Sequence, residues 1–386
     1  MIWKSALVAL LATALVATPA AAEPSAGTWL VGQFADGDHL LKAPDMADSG
    51  LTADGVYALA AAGVGRSTAE KAAGWLAKSP QFETFIGDGT AESYVGGLTK
   101  LALVAQTLGQ DPRAFGGVDL LARLTALQEP SGRFRDKTDP EYDMTNAFTQ
   151  ALAIIVLKRA DQAVGPAVEF AASTQCSGAG FPIVFGEPEC KSDVDATAMV
   201  LQALLAAGEK SVSAKALDWL VEQQKADGGF PAAGSAGSNA NSTGLVVGAL
   251  VAGGRVEAAD KAVAYLKTLQ AGCTGPQPGA IAYDSTGFEL YPAIRATTQA
   301  MLGLARVSLA DVSASSATPG VPAINCTTPA PSQPAAPAAP AESPVVDPPL
   351  AATGPDQAVP LTLFGSFAVL AGAVLVFVSR RRKVVA

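Results

Sequence analysis

The sequence predicts an all-α fold assembled from about six helical hairpins. Three observations carry that expectation. Hydrophobic residues make up 49% of the chain but aromatics only 6%, and the apolar share is mostly Ala, Leu and Val. That mixture favours packed helices over a β-sandwich. Between Glu23 and Val307 the chain also resembles itself at a spacing of about 50 residues, the mark of a stacked repeat. Within each period an almost wholly apolar helix is followed by an amphipathic one, so one is buried and the other faces solvent.

The elements follow in chain order. Residues 1–22 have the layout of a secretory signal: Lys4, an apolar core over Ser5–Val16, and Ala20, Ala21 and Ala22 before a cleavage point. Residues 23–312 form the repeat domain. The stretch Asp195–Leu204 matches Asn241–Leu250 and Arg295–Leu304. Asn146–Val156 is a fourth copy, and segments near Gly50 and Tyr94 fit more loosely. Amphipathic partners are expected at Thr68–Lys78, Gly117–Gln128, Ala163–Thr174, Ala214–Gln224 and Glu257–Gln270, with Thr28–Phe34 as a sixth. Residues 313–349 are rich in Pro, Ala, Ser and Thr and read as a disordered stalk.

Leu350, Ala351, Ala352, Thr353 and Gly354 then precede an uncharged segment at 361–378 and the basic tail at 379–386. The segment is long enough for one transmembrane helix, and its basic flank places the C-terminus in the cytoplasm. This three-part order resembles the sortase-substrate family, in a Leu-Ala-x-Thr-Gly variant of its motif. The resemblance implies that a sortase acylates Thr353 and joins it to peptidoglycan, with Gly354 onward released. A plain single-pass membrane anchor is the other reading. Either way the expected location is the cell surface.

The turns after the amphipathic helices share a signature. Gln128–Phe134 and Gln224–Phe230 both read Gln-x-x-x-Gly-x-Phe, and Gln175–Phe181 has Ala179 where the others have glycine. Phe170, Trp219 and Tyr265 each stand five residues before the glutamine. Glycine permits a tight turn with positive φ, and a glutamine amide can bond exposed backbone groups. These turns resemble the squalene-cyclase and prenyltransferase repeat superfamily. The resemblance implies an α/α toroid, in which inner and outer helices close a double ring.

The repeat brings Asn146, Asp195, Asn241 and Arg295 to one level, with Gly50 and Tyr94 from the loose copies. Helix N-termini carry partial positive charge, so this level is the expected ligand mouth. Asn and Asp are also preferred N-caps, and a capping residue can line a pocket, so both readings stand. Asp193-Val194-Asp195-Ala196-Thr197-Ala198 resembles the Asp-x-Asp-Asp-Thr-Ala motif of class II terpene cyclases. That implies Asp195 as general acid with Asp193 beside it. The fourth residue, an acid in the family, is Ala196 here. An exported domain also stands apart from the usual terpene substrates. The expectation is therefore binding of a small apolar ligand, or display of an interaction surface, ahead of catalysis.

A net charge of −9 argues against a nucleic-acid partner. His39 is the only histidine, which argues against a zinc site or a histidine-dependent triad. No metal or cofactor is expected. Cys176, Cys190, Cys273 and Cys326 suggest disulfides, with Cys176–Cys190 the more obvious pair; Cys273 with Cys326 would tie the start of the stalk to the domain, and the sequence leaves other pairings open.

Overall fold

The computed structural model describes residues 25–275, 277–324 and 326 of the 386-residue chain. The signal segment, residues 327–349 of the stalk, the Leu350–Gly354 motif and the 361–378 segment lie outside the described residues. Among the described residues, no helix is long and apolar enough to cross a membrane.

Six outer helices each lead to an inner one. α1 (Ala26–Val31) leads to α2 (Ser49–Ala61). α3 (Arg66–Leu76) and the short α4 (Gln81–Ile86) lead to α5 (Val95–Leu108), and α6 (Leu120–Thr125) leads to α7 (Ala147–Arg159). α8 (Gly165–Ser173), α10 (Ser211–Glu222) and α12 (Val256–Thr268) lead to α9 (Val194–Ala207), α11 (Ala240–Ala252) and α13 (Leu290–Ala305). Each inner helix packs on the next around the circle, and α13 packs on α2. The ring is therefore closed, and the all-α toroid expected from the sequence is what forms. Closure lets every inner helix bury nearly its whole surface, which a single hairpin cannot do. The only strands described are two short pairs, Leu41–Ala43 with Met46–Ala47 and Phe230–Pro231 with Ser238–Asn239.

The glutamine turns fasten neighbouring hairpins. The Gln224 amide nitrogen donates to the carbonyls of Gly228, in its own turn, and Ala258, in α12, at 2.8 Å each. Gln175 does the same to Ala179 and to Val212 of α10. In the Gln128 copy the work passes to Gln150 of α7. Its amide nitrogen bonds Gly132 and Ala167, and its amide oxygen accepts from the Phe134 N–H. Trp219 and Tyr265 pack beside Gly180 and Gly229 of the preceding hairpins' turns, at 3.0 and 2.8 Å from where a Cβ would sit.

The disulfides join Cys176 to Cys190 and Cys273 to Cys326, as expected. The boundary read at Ser313 falls inside a packed segment. Residues 306–322 run as a strap across the C-terminal ends of the inner helices. Arg159 at the end of α7 donates to the carbonyls of Leu309, Ala310 and Val312. The Ala314 N–H bonds Thr107, and Thr318 bonds Gly63. Val312 and Ala314 are buried. Small residues and prolines read as a linker in composition, but here hydrogen bonds and the buried Leu309, Val312, Ala314 and Ala317 hold them.

Candidate functional site

The connections from outer to inner helices are the long ones, so the loops gather at the N-terminal ends of the inner helices. A recurring hydrogen bond sets the level of each helix there. The N–H groups of Leu40, Phe181, Phe230 and Ile281 donate to the hydroxyls of Thr52, Thr197, Thr243 and Thr297 at 2.8–3.0 Å. Phe134 donates to Gln150 in the same way. The residues two positions earlier form one layer: Gly50, Phe148, Asp195, Asn241 and Arg295. In α5 the Tyr94 N–H bonds Ile86 as the Asp193 N–H bonds Phe181, which puts Gly96 in that layer.

This register corrects the sequence reading in two places. Asn146 stands two residues before the layer, as the N-cap of α7, with its side chain on the N–H groups of Phe148 and Thr149. Tyr94 is likewise at the N-cap position, and its hydroxyl donates to Glu92. Conversely, Asp195 and Asn241 are not caps. Asp193 caps α9 through Ala196, and Asn239 caps α11 through Ser242. Arg295 lies inside α13, which starts a turn early at Leu290. The misreading arose because Phe148 breaks the polar pattern and only the turn bond reveals the register.

Asp195, Asn241 and Arg295 thus form a polar arc on three consecutive inner helices. All three are partly exposed. Oδ1 of Asp195 and Oδ1 of Asn241 are shut off from solvent, with no hydrogen-bond partner among the described residues. The Arg295 guanidinium also pairs with no described residue. The opposite arc is glycine, glycine and Phe148.

One helical turn below stand Asp54, Lys100, Leu152, Met199, Leu245 and Gln299, in the same ring order. Lys100 donates to Asp54 Oδ1 at 2.5 Å and to the Gly50 carbonyl at 3.0 Å. Sequence reading missed this pair. The available signal was a charged residue in each of two otherwise apolar helices. Deeper still the ring is filled. The Tyr57 hydroxyl donates to Lys100 O, and Gln202 bridges Leu245 to Ser308 and Leu309 of the strap. Tyr57 and Gln202 are both buried. The upper layer, partly exposed except at Phe148, lies over a ring that is closed beneath, and together they outline a shallow cup at the inner-helix N-termini. Tyr283 and Tyr291 of the last hairpin pack against the core, while Phe288 remains 38% exposed beside Trp29.

Burial first, and then the Asp193 charge, push the Asp195 carboxyl up to about 7, against a hydrogen bond from Ser242. Asp193 is also raised by burial, but its bonds to the helix N-terminus oppose that. An unfolded carboxyl ionises near pH 4, so the native state binds the extra proton between about pH 4 and 7. Asp195 therefore lowers stability progressively across that window. Asp195→Asn should be about 2–4 kcal/mol more stable than wild type at pH 8, and nearly equal to it at pH 4. Denaturant melts at both pH values check this. A gap that does not widen with pH would mean that the carboxyl is not held protonated.

Among the described residues, no group of His, Cys, Asp and Glu is placed to hold a metal ion. No family model matches the chain, and no curated protein sequence does. Solved structures share the fold. A variant of the type II terpene cyclase MstE from Scytonema, bound to geranylgeranyl dihydroxybenzoate, is 14% identical with a TM-score of 0.55, covering 73% of this chain and 95% of its own. The apo form of MstE is 15% identical, with a TM-score of 0.53 over 72% and 95% of the two chains. A protein from Actinoplanes is 15% identical, with a TM-score of 0.52 over 73% and 97%. The toroid is thus terpene cyclase-like in fold.

Proposed function

We propose that this chain is an exported, surface-anchored protein whose toroid binds a small ligand in the cup at the inner-helix N-termini, without catalysis. The carrying observation is the polar arc of Asp195, Asn241 and Arg295, whose side chains leave polar atoms unpaired at the open end of an otherwise self-filled ring. Unpaired polar groups in a concave site are costly unless a ligand completes them. The shallow depth supports binding over cyclisation. Tyr57, Gln202 and the strap fill the ring beneath the two layers, which leaves little depth for a long isoprenoid. Ala196 also supplies no carboxylate beside Asp195.

One observation favours the other reading, a class II terpene cyclase with Asp195 as general acid. The Asp195 carboxyl holds its proton to about pH 7. The readings separate by experiment. Native mass spectrometry of the full-length chain should show a retained small molecule that is lost in Asn241→Leu. Squalene and its epoxide should be returned unchanged. Conversion of either that Asp195→Asn abolishes would replace the binding proposal.

Surface anchoring is supported by the order of motif, apolar segment and basic tail, and by the two disulfides, which suit an oxidising compartment. Sortase and peptidoglycan are the partners this proposes, with the 361–378 segment crossing the membrane until cleavage. Thr353→Ala should move the protein from the wall fraction to the membrane fraction. Wall attachment that survives the substitution would favour a different linkage.

A further inference from the structure

The cup can be read for the charge of its missing partner. Of the charged side chains in its two layers, Asp54 is already neutralised by Lys100 at 2.5 Å. Asp195 keeps its proton to about pH 7. The Arg295 guanidinium is left over, paired with nothing described. The convergent N-termini of the inner helices add partial positive charge at the same level. Arginine presents a planar fork that fits a carboxylate. A diphosphate would need more than one cation, and no described residues offer a metal site.

The surroundings are apolar in a particular place. Phe148 and Leu152, both buried, stand across the ring from the arc, and a Cβ at Gly96 would lie 3.5 Å from the Thr149 methyl with no other contact within 4 Å. Among the described residues, four of the seven exposed large hydrophobics, Met46, Met144, Phe288 and Leu290, lie just before, or at the first residue of, an inner helix, and a fifth, Val184, follows Ile183, whose carbonyl meets the start of α7. Met144 and Val184 both flank the start of α7, since Met144 O accepts from Asn146 and the neighbouring Ile183 carbonyl accepts from Ala147. The cup therefore has a polar arc on α9 to α13 with one unpaired cation, Arg295, an apolar side at Phe148 and Leu152 of α7 beside Gly96 of α5, and the exposed Met144 and Val184 outside that side.

We propose that the ligand is a free single-chain amphiphile with a carboxylate head, the head on Arg295 and Asn241 and the aliphatic chain over Phe148 and out across Met144 and Val184. This rests on the cup being a binding site, and its failure can be told apart from failure of that reading. The full-length chain is incubated in turn with dodecanoate, 1-dodecanol and dodecylammonium, and occupancy is read by native mass spectrometry. Dodecanoate should be held at least tenfold more tightly than dodecanol, and dodecylammonium least.

Arg295→Gln should remove the preference for dodecanoate and leave dodecanol unchanged, while Arg295→Lys keeps part of it. Because Arg295 has no described partner, its loss should leave the melting temperature in place. Gly96→Leu should weaken dodecanoate and dodecanol together. Affinity for dodecanoate should fall as pH rises from 6 to 8, because Asp195 then ionises with Asp193, Ser242 and Tyr283 as its neighbours. Equal or tighter binding of dodecanol or dodecylammonium, blocked by Gly96→Leu, would overturn the carboxylate assignment and leave the cup standing. Binding of none of the three, or binding indifferent to both substitutions, would overturn the cup itself.

Discussion

Lys100→Met should destabilise the protein by about 3–5 kcal/mol. Lys100 and Asp54 are 6% and 8% exposed and lie on adjacent inner helices. Removing the ammonium strands a carboxylate whose other oxygen, Oδ2, already lacks a partner among the described residues. A buried charge without its counterion costs far more than the pair ever contributed. The double variant Lys100→Met with Asp54→Leu should recover most of the loss, because apolar side chains of similar size suit a ring interior. Chemical denaturation of both variants checks this. A single variant within about 1 kcal/mol of wild type would mean that the pair is solvated in the folded protein.

Gly132→Ala should cost about 3–5 kcal/mol, from left-handed strain plus overlap. Gly132 has φ +89°, and a Cβ there would sit 2.0 Å from the Pro166 carbonyl oxygen of α8. Backbone cannot yield as a side-chain tip can, so the hairpins on either side of the turn would have to part. Gly228 faces the Lys261 carbonyl of α12 at 2.5 Å and should behave alike. The third copy already carries the methyl: Ala179 holds φ +75°. Ala179→Gly should therefore stabilise by up to about 1 kcal/mol. Thermal melts decide the point, with a fall of roughly 10 °C for Gly132→Ala. A fall of only a degree or two would show that the turns do not clamp the ring.

These two sites mark what was legible beforehand. The glutamine turns were visible because glycine, glutamine and phenylalanine recur at fixed spacing for steric reasons. The inner helices were visible because they are apolar on every side. The level of residues at the mouth was not, because in α7 the turn bond falls on Gln150 where other helices use threonine, and Asn146 mimics the wrong position. The strap was hidden for a different reason. Its segment spends its hydrogen bonds on groups far away in sequence, among them Arg159, Thr107, Gly63, Arg66 and Gln202, which no local pattern in 306–322 announces. Asp54 and Lys100 were each readable as a charge in a buried helix, but their pairing depends on ring order.

The Cys273–Cys326 bond bears on mechanics. A pull applied to the chain beyond Cys326 passes through sulfur into Cys273, at the end of the outer layer. The intervening residues 274–325, which include α13 and the strap, form a covalent bypass loop that carries no tension. The seam where α13 meets α2, which completes the circle, therefore lies off the load path. Under reducing conditions the same pull would reach the strap first and peel it from Gly63 and Thr107 toward Arg159, uncovering the C-terminal ends of the inner helices.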